Sequence, residues 1–129
     1  MKIPEGITIH EGKLATFWFD ENGILCANAK STPRTLENQK KNYEFIKKIT
    51  GDKPVCLLTD TTNSAPQNKE TREYMASELP KIFKAMAVIS ESALGDVIAK
   101  TFVALKQEPI PIRLFKNEID AREWLLTFL

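Results

Sequence analysis

At 129 residues, 43% hydrophobic and 27% charged, the chain has the length and composition of one folded domain (residues 1–129) with a full core. Eighteen basic residues against 17 acidic ones leave a net charge of +1, which argues against a nucleic-acid footprint. No apolar run approaches the ~20 residues of a membrane span, and Met1-Lys2-Ile3-Pro4-Glu5-Gly6 lacks the apolar stretch of a signal peptide, so a cytoplasmic location is expected.

Ile7 to Glu11 alternates weakly and reads as a first strand, followed by a turn at Gly12-Lys13. Leu14 to Phe19 is an aromatic-rich second strand. Asp20-Glu21-Asn22-Gly23 carries the Asn-Gly signal of a hairpin turn into a third strand, Ile24 to Asn28. Such short links join only antiparallel neighbours, so the chain opens on a meander. Thr32-Pro33 then reads as the N-cap and first turn of a helix with a stripe of Leu36, Tyr43, Ile46 and Ile49, stopped by Gly51. The lysines at 40, 41, 47 and 48 fall on its solvated face.

Pro54 to Asp60 is apolar almost without a break, the pattern of a parallel strand buried on both faces. A polar loop follows, then a helix capped by Asn68 and ended by Pro80. Ala85 to Ile89 is the fifth strand. Ser90-Glu91-Ser92 opens a helix with a Leu94, Val97, Ile98, Phe102, Leu105 stripe, ended by Gln107-Glu108-Pro109. Pro111 to Phe115 is a sixth strand, placed at the sheet edge by Pro111 and Arg113. Asn117 caps a last helix, with Ala121, Trp124, Leu125 and Phe128 on its buried face. The fold class is mixed α/β: an N-terminal antiparallel β-meander followed by βαβαβα units, a mixed sheet with flanking helices.

Cys26 and Cys56 lie in apolar runs and read as buried free thiols. One histidine and no C-x-x-C leave no metal site and no cofactor is expected. The candidate surface is the rim where strands end and helices begin. It holds Asp60, Thr61, Thr62, Ser64, Arg72, Ser90 and Ser92. Helix N-termini there suit anions and partners. Asp60 is expected to pair with Arg72 or to accept amides of its own loop. Asp60, His10 and Ser64 form a nominal triad with no G-x-S-x-G motif beside them, so no enzyme is expected.

Ala85-Met86-Ala87-Val88-Ile89-Ser90, Ile98-Ala99-Lys100-Thr101-Phe102, Pro111-Ile112-Arg113-Leu114-Phe115 and Asp120-Ala121-Arg122-Glu123-Trp124-Leu125 together resemble the SpoIIAA-like (STAS-type) family. The likeness spans roughly residues 50 to 127. It implies a four- to six-stranded sheet flanked by helices and a non-enzymatic regulatory role like that of bacterial anti-sigma antagonists, which bind a kinase partner. It also implies phosphorylation of a serine or threonine after the central strand, here Asp60-Thr61-Thr62-Asn63-Ser64. That segment lacks the glycine and leucine of the family's Asp-x-Ser-Gly-Leu signature. The expected partner is a protein such as a kinase-type regulator, or a second copy of the chain. The alternative is a small-molecule or lipid carrier, with an apolar pocket of several hundred cubic ångströms beneath the helix of Leu94 to Leu105, lined by residues such as Trp18 and Phe102.

Overall fold

The computed structural model describes residues 1–93, 100 and 110–129. The predicted helix stripe from Leu94 to Leu105 and its end at Gln107-Glu108-Pro109 lie outside the described residues, apart from Lys100.

Six strands form one mixed sheet: β1 (His10–Glu11), β2 (Ala15–Phe19), β3 (Leu25–Ala29), β4 (Val55–Asp60), β5 (Phe83–Ile89) and β6 (Ile112–Phe115). They lie side by side in sequence order. The first three are antiparallel, and β3 to β6 are parallel. The meander comes from its short turns. At the β2–β3 turn, Gly23 takes a positive φ of 80° and Asp20 accepts the amides of Asn22 and Ile24 at 2.8 and 2.9 Å. β4 and β5 sit in the interior of the sheet, which explains why both are apolar without alternation. β6 is an edge, as Pro111 and Arg113 imply.

Helices α1 (Leu36–Thr50) and α2 (Lys69–Ile82) cover one face. They meet through Tyr43 and Tyr74, stacked at 5.8 Å, and through Lys47 and Glu78 at 3.8 Å. Helix α3 (Glu118–Leu126) covers the other face together with Met1, Ile3 and Ile7. Its Arg122 donates to Asp20 and to Glu118, each at 3.0 Å, which ties the last helix to the first hairpin.

Four boundaries differ from the sequence expectation by two residues or more. β1 spans only His10–Glu11, because Ile7 packs under α3 instead of extending the sheet. α1 starts at Leu36, capped by Thr35 and not Thr32. Arg34 forms a parallel bridge with Gln67, which holds the chain extended and moves the cap three residues on. Pro80 lies inside α2, in its last turn. There it removes a single amide, the Phe83 amide still closes onto the Leu79 carbonyl, and β5 begins at once, two residues before the expected start.

Candidate functional site

The parallel strands β3 to β6 end on one rim, with Asn28 beside Asp60 and Asp60 beside Ile89. Asp60 is the centre of this rim. Its carboxylate accepts from the chain's amino group at 2.8 Å, and from the amide (2.9 Å) and hydroxyl of Thr62. The amino group also donates to Asn28 Oδ1 at 2.7 Å. Burial alone would raise the Asp60 pKa, but the bonds from the amino group and Thr62 outweigh it and hold the carboxyl below its ordinary value. Of the two partners expected for Asp60, its own loop supplies one. Arg72 does not pair with it: its guanidinium donates to the Gln67 carbonyl at 2.8 Å and so braces the start of α2.

The predicted hydroxyls divide by exposure. Thr61 is buried, and its amide and hydroxyl both donate to the Ile89 carbonyl, at 2.9 and 3.1 Å. Ser64 is buried and donates to the Ala65 carbonyl at 3.3 Å. Thr62 is half-buried and joins two loops. Its hydroxyl donates to Asp60 and accepts the Glu91 amide at 2.9 Å, while its carbonyl accepts the Ser92 hydroxyl at 2.8 Å. Ser90 and Ser92 bond to each other, Ser90 Oγ to the Ser92 carbonyl and the Ser92 amide to Ser90 Oγ. Six of the seven candidates therefore gather at one rim, and Arg72 stands apart at the foot of α2. His10 lies on the far edge strand, three strand spacings or roughly 14 Å from β4. The nominal triad is not assembled.

A second feature went unread in the sequence. Between the sheet and α1/α2 lies a cavity of about 50 Å³. Its polar wall is Arg34, Gln39, Asn42, Tyr43, Thr59, Thr61 and Ser64, and its floor includes Leu57, Met75 and Met86. The Arg34 backbone is clamped by the bridge to Gln67 and by the Thr71 hydroxyl at 3.4 Å. Its guanidinium reaches inward to the Leu14 carbonyl at 3.3 Å, leaving Nε without a partner. Gln39 Oε1 and Asn42 Oδ1 are likewise unpartnered, in residues only 1% and 7% exposed. Burial lowers the Arg34 pKa, and it raises that of the Tyr43 phenol. The signal was the helix phase itself. Gln39, Asn42, Tyr43 and Ile46 stand at i, i+3, i+4 and i+7, so two polar residues sit on the buried stripe of α1.

Trp18 is 1% exposed and packed in the core under α3. Both thiols are free and buried, Cys26 pushed up to about 11 by burial and Cys56 also raised by burial, so both are protonated and inert near neutrality. The pocket expected beneath residues 94–105 lies outside the described residues. No described helix is long and apolar enough to cross a membrane, and no three described metal-ligating side chains gather.

A family model described as a domain of unknown function, DUF7793, matches residues 17–129. No curated protein matches the chain. Among solved structures, an uncharacterized protein of the DUF3478 family from Shewanella loihica PV-4, described as having a SpoIIAA-like fold, superposes with a TM-score of 0.52 at 18% identity. The match covers 93% of this chain and 92% of that one. The six-stranded mixed sheet and its helices are thus a SpoIIAA-like fold, as the sequence resemblance implied.

Proposed function

The chain belongs to the DUF7793 family, and on its fold and rim geometry we propose that it is a non-enzymatic regulatory module that binds a protein partner through the rim from Asp60 to Ser64. The observation that carries this reading is the position of Thr62. Its hydroxyl is the only link from Asp60 to the Glu91 amide among the described residues, and it is less buried than its neighbours Thr61 and Ser64. A phosphoryl group on that oxygen would meet the Asp60 carboxylate at hydrogen-bond range. Like charges at that distance repel, and the hydrogen that the Thr62 hydroxyl donates to Asp60 would be gone. The rim would then open between β4 and β5, which is how a local charge becomes a change in a binding surface.

The test is capture of partners from lysate of the source organism by wild-type chain and by Thr62→Glu and Asp60→Asn variants. Peptide mapping of the natively purified chain for phosphothreonine runs beside it. The reading expects a partner held by the wild type and lost with the Thr62→Glu change. A partner set unchanged by both rim substitutions, with Thr62 unmodified, contradicts it.

A further inference from the structure

The cavity between the sheet and α1/α2 is built differently from a packing defect. Packing defects in cores are apolar and stay dry. This one is walled by a guanidinium and two carboxamides whose unpartnered atoms are Arg34 Nε, Gln39 Oε1 and Asn42 Oδ1. A guanidinium stays charged under all ordinary conditions. Arg34 is half-buried as a residue, but its Nε is shut off from solvent, and a charge drawn even partly out of water is costly unless an opposite charge meets it. Burial keeps the Tyr43 phenol on the same wall neutral, so it brings no charge, and none of the ion pairs among the described residues includes Arg34. Water filling the space would satisfy hydrogen bonds but would leave that charge unbalanced.

We propose that this cavity is a binding site for a small organic carboxylate that also carries a hydroxyl or amino group. Each part of that description answers one part of the wall. The carboxylate meets Arg34, whose planar fork suits it. The hydroxyl or amino hydrogen meets the carboxamide oxygens of Gln39 and Asn42, which need a donor. The short carbon chain between them lies on Leu57, Met75 and Met86. At ~10–15 Å³ for each water-sized group, a volume of about 50 Å³ holds roughly three to five non-hydrogen atoms, the upper end of which is the size of the smallest hydroxy acids. A long-chain lipid is excluded on the same count. Thr61 and Ser64 of the rim loop line the same cavity, so an occupant would touch the inner side of the loop that carries Thr62. The site stands on its own residues and does not depend on the rim being a partner surface.

The experiment is a titration of the full, isotope-labelled chain followed by NMR at the Arg34 Nε–H and at the side-chain amides of Gln39 and Asn42. Glycolate is the probe. Acetate lacks the donor, ethylene glycol lacks the charge, and inorganic phosphate has the charge without the carbon chain. The expected result is saturable movement of all three side chains with glycolate, at least ~10-fold weaker binding of acetate for the lost hydrogen bond, and no saturable response to ethylene glycol. An Arg34→Met chain whose own spectrum shows it folded should give no glycolate response. The wild-type side-chain signals carry the test even if that variant fails to fold. No saturable shift with glycolate, equal response to glycolate and ethylene glycol, or tighter binding of phosphate than of glycolate would each overturn the proposal.

Discussion

The two faces of the sheet share the same strands and are finished in opposite ways. Under α3, Trp18, Ile24, Cys26, Cys56, Leu58, Ala85, Ala87 and Leu125 close on one another, and no described polar side chain is left unpartnered there. Under α1 and α2 the core is equally apolar near Phe83 and Val88, but toward the rim it gives way to Arg34, Gln39 and Asn42. The contrast separates a face packed throughout from one whose equally apolar core gives way at one end to inward polar groups. Native proteins tolerate such lapses where function requires them.

The largest effect is expected on the filled face. Trp18→Ala empties a fully buried site and should lower unfolding stability by about 3–5 kcal/mol in a urea titration. A loss below about 1 kcal/mol would remove the distinction between the faces.

Asp60, on the rim between them, comes next. Asp60→Asn should cost about 2 kcal/mol near neutrality, because it weakens charge-assisted bonds to a side chain only 10% exposed. Its folded pKa is depressed, so the stability it supplies is full above the unfolded value of about 3.8 and is lost as pH falls through the lower folded value. Wild type and variant should therefore converge in acid, as followed by unfolding at stepped pH. A constant gap would assign the loss to packing instead.

Gly12→Ala sharpens the comparison by testing a tight part of the α1 side. A methyl there meets the Ala15 carbonyl oxygen and the Phe17 ring at 3.0 Å and the Phe45 ring at 3.3 Å, so about 1.5 kcal/mol should be lost. If the change is neutral, this side is loose throughout and the cavity is not a local feature. Thr62→Val removes the hydroxyl that joins Asp60 to Glu91. Asp60 keeps its other donors and the Glu91 amide can turn to water, so about 1 kcal/mol is the expected loss in the same assay.

The succession of elements along the chain, the antiparallel-to-parallel switch, the caps at Asn68 and Asn117 and the edge position of β6 were legible because each follows from a local rule: turn chemistry, side-chain oxygens at helix starts, apolar runs. The start of α1 was not. Thr32 and Thr35 are equally good caps, and the choice is made by the pairing of Arg34 with Gln67, a contact 33 positions apart in the chain. The gathering of rim hydroxyls followed from topology, whereas the ranking among them rests on burial that no local pattern encodes. The cavity was missed for a related reason. Polar residues on a helix are assigned to solvent by default, and Gln39 and Asn42 lie on the buried stripe.

The most direct measurement is the unfolding free energy of Arg34→Met. If the α1/α2 face keeps its polar wall for a ligand and not for the fold, replacing a half-buried guanidinium that has a buried, unpartnered Nε and no opposite charge with an apolar chain of similar length should leave stability unchanged or raise it by about 1 kcal/mol. A loss of several kcal/mol, comparable to that of Trp18→Ala, would show that Arg34 pins the structure and would contradict the division between the two faces.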